Sequence, residues 1–285
     1  MGGEPRGCTA NPGARCGSRP RGRQRDDERG PRRDEVAMSK DIQAVYFDLD
    51  DTLCAYWAAS RKALRQTFEE AHLPVSADDA MDAWRAVFAT FSEEVRRDPW
   101  YRHYLESGEP TRTEHLRRTL ERIAPDHAHK AEPMSRRYAE LRLQYLELFP
   151  DAKPVLDALR GKYRLGLITN GPADVQRSEI ETLGIEGYFD HILIEGEMQI
   201  GKPAKEVFEK ASSKWNCEPS QMLFVGNSFD HDVLGAKSAG WQALWMNKEG
   251  APVPDDAPFQ PDGIIQDLCG VLDYLGIERS SLSTR

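Results

Sequence analysis

Two aspartates separated by one residue, Asp48 and Asp50, follow directly after the apolar run at residues 44–47. A short apolar run of this kind predicts a buried strand, and side chains two residues apart on a strand point to the same side. The two carboxylates are therefore expected to leave the strand end together and to face one reaction centre. One can attack as a nucleophile while the other moves protons as a general acid and base.

The charge of this pair predicts a metal. Two neighbouring carboxylates raise a pKa unless a cation neutralises them, so the pattern calls for a divalent ion or an acidic pocket, and we expect Mg²⁺. Thr52, two residues further on, either orients Asp50 or caps the local turn. The segment at residues 48–52 is also typical of an Asp-rich turn after a strand. The remaining motifs therefore have to distinguish a reaction centre from a simple turn.

Two further motifs offer groups that bind phosphate. Thr169-Asn170-Gly171 follows an apolar run at residues 164–168 and supplies a hydroxyl, an amide and a flexible backbone. The same tripeptide alone is equally typical of a strand-to-helix turn. Lys202, which precedes a proline, can balance the charge of Asp48 and bind phosphate oxygens.

The segment at residues 226–232 follows another apolar run and adds oxygen ligands, which Mg²⁺ prefers. Asp230 and Asp232 compete for the metal, and the position of Asp232 fits better. His231 between them is expected to be a loop or surface residue rather than a Mg²⁺ ligand.

The arrangement of helices and strands must bring these loops together. Apolar residues at spacings of three and four predict a helical block over residues 56–148. From residue 149 onward, short apolar runs alternate with helical segments, which predicts an α/β fold with a parallel sheet. Because such a sheet collects ligands at the carboxyl ends of its strands, the loops after residues 47, 168 and 225 are expected to converge.

Composition narrows the function further. The chain has 285 residues, of which 39% are hydrophobic, enough for one large domain or two modest ones. It lacks a membrane-length apolar stretch and the apolar centre of a secretory signal, so we expect a cytoplasmic protein with no membrane partner. The five cysteines have no metal-type spacing and are expected to be reduced thiols.

Residues 1–37 differ from the rest, being rich in Gly, Pro and Arg, and are predicted to be disordered. They hold nine arginines against six acidic residues, so the remaining chain carries a net charge of −12, against −9 for the whole. An acidic body of this kind argues against a nucleic-acid partner.

Taken in order, the four motifs resemble those of the haloacid dehalogenase superfamily of phosphohydrolases, in the subfamily with an inserted type one helical cap. The resemblance implies a Rossmann-like core with helices on both faces, formed by residues 38–55 and 149–280, and a cap at residues 56–148. It implies the nucleophile Asp48 and the acid/base Asp50. It further implies a phosphate site of Thr169, Asn170 and Lys202, and Mg²⁺ ligands Asp48, Asp50 through its backbone carbonyl, Asp232 and the further candidate Asn227.

The function implied by this resemblance is hydrolysis of a small phosphomonoester, such as a nucleoside monophosphate or a sugar phosphate, through an aspartyl-phosphate on Asp48. Asn227 departs from the family pattern, which has an aspartate there; an amide oxygen brings no charge, so metal affinity should fall. Two alternatives stay open: a weakened phosphate-ligand sensor or interaction protein, and a phosphomutase. Asp50 argues against dehalogenation.

The residues expected to reach the substrate from the cap are Tyr56, Trp57 and Arg61. The alternative interpretation is that these three residues belong to the hinge and the core. The oligomeric state is not predicted.

Overall fold

The computed structural model describes residues 41–279; the predicted disorder of residues 1–37 falls outside this range. Six parallel strands form one sheet in the order β3-β2-β1-β4-β5-β6. They are β1 (Ala44–Phe47), β2 (Arg164–Thr169), β3 (His191–Ile194), β4 (Met222–Gly226), β5 (Gln242–Met246) and β6 (Gly263–Ile265). This strand order is that of a Rossmann-type sheet, so the predicted α/β fold is confirmed.

The register of the sheet brings the predicted loops to one level. Phe47 at the end of β1 lies beside Leu167 of β2 on one side and Val225 of β4 on the other. The chain reverses its direction of strand addition between β1 and β4, and parallel sheets bind ligands at such a switch point. The loops after β1 and β4 flank that point.

Helices connect the strands. Those between β1 and β2 are α1 (Tyr56–Glu70), α2 (Ala77–Val95), α3 (Trp100–Glu106), α4 (Gly108–Ile123), α5 (Ala131–Tyr145) and α6 (Ala152–Leu159), with a 3₁₀ turn at Pro125–Lys130. The later helices are α7 (Ala173–Leu183), α8 (Glu195–Met198), α9 (Lys205–Trp215), α10 (Leu234–Ser238) and α11 (Cys269–Tyr274). Strand β6 and helix α8 were not predicted, because a three-residue strand and a single helical turn are too short to show their periodicity.

Helices cover both faces of the sheet, as expected for parallel strands. Val45 and Phe47 of β1 belong to an apolar cluster that includes residues of α6, α7 and α11. Ala44 and Tyr46 point to the opposite face and belong to a second cluster with residues of α9 and α10. Alternate side chains of β1 therefore pack into two different cores, which explains why the strand is apolar throughout.

The helices before residue 146 have an apolar core of their own. It contains, among others, Leu64 and Phe68 of α1, Leu116 and Leu120 of α4, and Leu141 of α5. The apolar stripes of this block therefore pack in a core, as the spacing predicted. The proposed cap boundaries at residues 56 and 148 remain a prediction. No helix within residues 41–279 combines the length and apolar character needed to cross a bilayer.

Candidate active site

A tight turn at the end of β1 positions the first carboxylate. Asp48 continues the strand ladder, its N–H donating to the carbonyl of Val225 at 2.9 Å. The chain then folds back, with the N–H of Leu53 bonded to the carbonyl of Leu49 at 2.9 Å. Asp51 takes the left-handed conformation, with φ of 58°, which aspartate tolerates better than most residues. Asp48 is thereby buried beneath the turn, with only 6% of its surface exposed.

Lys202 links the first and last motifs. Its Nζ lies 2.7 Å from Oδ1 of Asp48 and 2.7 Å from Oδ1 of Asp232, and all three side chains are buried. Burial raises the pKa of Asp48 to about 6, although the Lys202 ammonium opposes the shift. Burial lowers the pKa of Lys202, but the two carboxylates outweigh it and hold that pKa above its ordinary value. Lys202 is therefore a charged ammonium at neutral pH.

Asn170 fixes the backbone of this lysine. Its side-chain amide donates to the Lys202 carbonyl at 2.8 Å, and its Oδ1 accepts the Lys202 N–H at 2.8 Å. The side chain of Asn170 is thus engaged in positioning Lys202, and its direct contact with phosphate remains a prediction.

Thr52 ties the turn after β1 to the loop after β4. Its hydroxyl donates to Oδ2 of Asp48 at 2.9 Å and accepts the N–H of Asn227 at 3.0 Å. Of the two roles predicted for Thr52, that of orienting Asp50 is wrong, because its hydroxyl bonds to Asp48 and Asn227 instead. The Oδ1 of Asn227 lies 3.4 Å from the same hydroxyl, so Asn227 and Asp48 share Thr52 as a neighbour.

The loop after β4 separates the two competing aspartates. A π-helical turn at Phe229–Val233 directs Asp232 inward, where its Oδ2 accepts the N–H of Ser228 at 2.9 Å, and leaves Asp230 exposed. A Cβ on Gly226 would lie 2.3 Å from Asp232 Oδ2, so only glycine allows this approach. His231 is half-buried and lines the cleft, so it is less superficial than expected.

Asp50 belongs to a second network, which the sequence analysis missed. The side-chain amide of Gln176 donates to Oδ2 of Asp50 at 3.3 Å and to Oε2 of Glu179 at 3.0 Å. The Gln176 Oε1 accepts the hydroxyl of Thr169 at 2.6 Å. Burial, then the charges of Glu179 and Asp48, raise the pKa of Asp50 well above its usual range. This environment favours the protonated form that a general acid needs.

Arg142 connects this network to the helical block. Its guanidinium, on α5, lies 3.1 Å from Oε1 of Glu179 on α7, and both side chains are buried. One signal in the sequence points to Arg142: it lies four residues after Tyr138 on the buried side of α5, where an apolar residue is expected. Gln176 and Glu179 lie three residues apart on the helix after the Thr169 loop, a spacing that puts both on one face.

Many of the side chains described above line one cleft of about 820 Å³, although Thr52 and Glu179 are not on its wall. The predicted site residues on its wall are Asp48, Asp50, Thr169, Asn170, Lys202, Asn227 and Asp232. Of the residues expected to reach the substrate, Tyr56 and Trp57 line the cleft, whereas Arg61 is exposed and lies outside its wall. The expectation for Arg61 is therefore wrong, since α1 turns its side chain away.

The residues at the base of the cleft suit a hard divalent cation. Asp48 and Asp232 offer carboxylate oxygens and Asn227 an amide oxygen, the donor types that Mg²⁺ prefers. The two carboxylates, those of Asp48 and Asp232, share the single ammonium of Lys202. The cluster can therefore accept further positive charge.

Several known proteins are similar to this chain in sequence or in fold. Residues 42–240 match the model of the haloacid dehalogenase-like hydrolases. The chain is 30% identical to N-acylneuraminate-9-phosphatase of Rattus norvegicus over 225 residues, covering 76% of this chain and 88% of that protein. It is 29% identical to glyceraldehyde 3-phosphate phosphatase of Methanothermobacter thermautotrophicus, covering 73% and 87%. The crystal structure of the putative hydrolase YfnB from Bacillus subtilis, bound to magnesium, superposes with a TM-score of 0.66 at 21% identity, covering 84% and 100%.

Proposed function

Because this chain belongs to the haloacid dehalogenase-like hydrolases, we propose that it is a Mg²⁺-dependent phosphomonoesterase acting on a small phosphorylated metabolite. One observation carries the proposal: Asp48 is held between Lys202 and Thr52 at the sheet edge, and Asp50, with its raised pKa, lines the same cleft. This arrangement pairs a fixed, ionisable nucleophile with a protonated acid. It supports phosphoryl transfer better than simple phosphate binding, which needs no acid.

In the first step, a carboxylate oxygen of Asp48 attacks phosphorus, and the bond from phosphorus to the leaving oxygen breaks. Asp50 gives its proton to that oxygen, so that the leaving group departs as an alcohol. In the second step, Asp50 takes a proton from water, whose oxygen attacks phosphorus. The bond to Asp48 then breaks, which releases inorganic phosphate and restores both carboxyl groups.

The fixed groups around Asp48 would stabilise the negative charge of the phosphoryl group. Lys202 would stabilise negative charge on the phosphoryl oxygens without having to move, because Asn170 holds its backbone. Asp48, Asp232, Asn227 and the backbone carbonyl of Asp50 would hold Mg²⁺. When bound, this ion supplies further neutralisation of the phosphoryl group.

The relatives support a metabolite substrate. The two phosphatases named above act, by their names, on a phosphorylated acylneuraminate and on glyceraldehyde 3-phosphate. Both are small phosphorylated metabolites, which supports a substrate of that class for this chain.

The test is phosphate release by the full chain from a panel of phosphomonoesters, with Mg²⁺ and with chelator, beside Asp48→Asn and Asp50→Asn. We expect Mg²⁺-dependent turnover that Asp48→Asn abolishes and Asp50→Asn lowers by roughly 100-fold or more. Turnover that survives in Asp48→Asn would overturn the mechanism. Absence of turnover on every ester, with phosphate still bound, would favour the weakened sensor that Asn227 suggests. Formation of a phospho-isomer without free phosphate would identify a mutase.

A further inference from the structure

Arg112 lies on the wall of the candidate active-site cleft, half-buried on α4. Its Nε donates to the backbone carbonyl of Ser135 at 3.2 Å and to the Ser135 hydroxyl at 3.1 Å. Ser135 is itself fully buried on α5. The guanidinium is therefore held in place by its Nε, which leaves its terminal nitrogens for another partner.

Within residues 41–279, no carboxylate oxygen lies within 4.0 Å of the Arg112 guanidinium, so Arg112 forms no ion pair there. Neighbouring Arg142, by contrast, is paired with Glu179. Burial, and then the charge of Arg142, lower the pKa of Arg112, and the more weakly acting carboxylates of Asp174 and Glu109 only partly oppose the shift. A half-buried charge with a like charge nearby costs free energy, and an anion bound from outside would remove that cost.

Aromatic side chains line the same cleft as Arg112. Trp84 stacks on Phe88 with ring centroids 5.3 Å apart and on His115 at 4.5 Å. Trp57 meets Phe88 edge-on, and each of these two side chains is 39% exposed although both line the cleft. Such rings bind the carbon skeleton of a ligand but offer little to a charged group. They also lower the local dielectric, which strengthens any ion pair formed by Arg112.

We propose that Arg112 binds a carboxylate on the leaving group of the phosphoester, so that the enzyme prefers phosphorylated acids over otherwise equal neutral phosphoesters. The planar fork of a guanidinium matches the two oxygens of a carboxylate, and one uncommitted arginine matches one negative charge. This inference rests on the proposed function, because it assigns the second half of the same substrate. It divides the cleft into a phosphate end at Lys202 and a carboxylate end at Arg112.

Two matched substrate pairs test the proposal. Glycerol 3-phosphate and 3-phosphoglycerate differ by a hydroxymethyl group against a carboxylate, and phosphoethanolamine and phosphoserine differ by a hydrogen against a carboxylate. We expect the full chain to prefer the acid of each pair by roughly 10-fold to 100-fold in kcat/KM, the range of a charged hydrogen-bonded contact. Arg112→Gln should abolish the preference mainly by raising KM for the acids, while kcat/KM for the neutral esters is kept.

Arg112→Lys retains the charge without the fork and should keep part of the preference. Arg61→Gln is the matched control, because Arg61 is an exposed arginine of the same helical block that lies outside the cleft wall. It should leave every ratio unchanged. Retained turnover of the neutral esters shows in each variant that the fold is intact.

The possible outcomes distinguish a failure of the carboxylate site from a failure of the proposed phosphatase function. Equal turnover of acid and neutral esters by the unaltered chain overturns the carboxylate site and leaves the phosphatase standing. A preference that survives in Arg112→Gln also overturns the assignment to Arg112. A chain that releases phosphate from no ester at all overturns the proposed function, and this inference falls with it.

Discussion

Lys202 offers the sharpest test of the electrostatics of the site. Lys202→Met keeps an unbranched side chain of similar length and removes the ammonium that lies 2.7 Å from both Asp48 and Asp232. The two carboxylates would remain, 6% and 1% exposed, without the cation that joins them. They would lie at the base of the cleft with little contact with water.

The expected loss of stability follows from that burial. Removing one partner of a buried ion pair costs about 3–5 kcal/mol, because the other charge is left uncompensated. For a folded region of this size, each kcal/mol corresponds to roughly 2–4 °C in Tm, so Tm should fall by about 6–20 °C.

The loss should also depend on pH. The pKa of Asp48 is raised to about 6 even beside Lys202, and it rises further when the ammonium is gone. A carboxyl group whose folded pKa exceeds its unfolded value stabilises the fold fully below the unfolded pKa, near 4, and loses that contribution as pH rises through the folded pKa. Lys202→Met should therefore be least damaging near pH 4 to 5 and most damaging at pH 8.

The assay is urea unfolding of both proteins at pH 5 and pH 8, with chelator present. Lys205→Met is the control: Lys205 pairs with Glu209 at 2.8 Å, but both side chains are 54% exposed. Such a pair contributes about 0–1 kcal/mol, so this variant should behave like the unaltered chain. Adding Asp232→Asn to Lys202→Met should restore part of the lost stability. The reasoning is refuted if Lys202→Met costs no more than Lys205→Met, or if its cost is the same at both pH values.

Two further predictions concern the metal and a buried histidine. Asn227→Asp adds a charge to the oxygen ligands, so the Mg²⁺ concentration that half-saturates phosphate release should fall by roughly tenfold; an unchanged value would show that Asn227 is already an adequate ligand or lies outside the metal site. Burial lowers the pKa of His115 to about 4, and its Nε2 lies 3.1 Å from the Trp84 carbonyl. Because the folded pKa lies below the unfolded value, this histidine stabilises the fold above pH 6.5, and on the order of 3 kcal/mol is lost as pH falls towards 4. His115→Phe should flatten the unfolding free energy over that interval, whereas an unchanged slope would contradict this assignment.

The local sequence determined the fold class and the positions of the strands that carry the site. Strand β1 is apolar at every position because both of its faces are buried, and that run made the strand and the following carboxylates visible together. The short apolar runs ending at Thr169 and Gly226 marked the other two loops in the same way. Since parallel strands present their carboxyl ends at one edge, the convergence of the loops that carry Asp48, Thr169 and Asp232 followed from pattern alone. The contacts of Lys202 with Asp48 and Asp232 were decided by the tertiary structure.

The tertiary structure decided which partner each group has. The side chain of Thr52 bonds to Asp48 and Asn227 rather than to Asp50, because the turn after β1 closes over the nucleophile. Asp232 is buried and Asp230 exposed because a π-helical turn sets their directions, a geometry with no periodic signature.

The contacts between the helical block and the sheet edge were hidden for a related reason. Arg142 and Glu179 are 37 positions apart, and their pairing depends on how α5 packs against α7. Arg112 shows the same dependence: an arginine on an amphipathic helix is expected to be a solvated charge until the packing of α4 against α5 places it on the cleft wall. Periodicity records which face of a helix is buried. It does not record what that face meets, because distant segments come together only when the whole chain has folded.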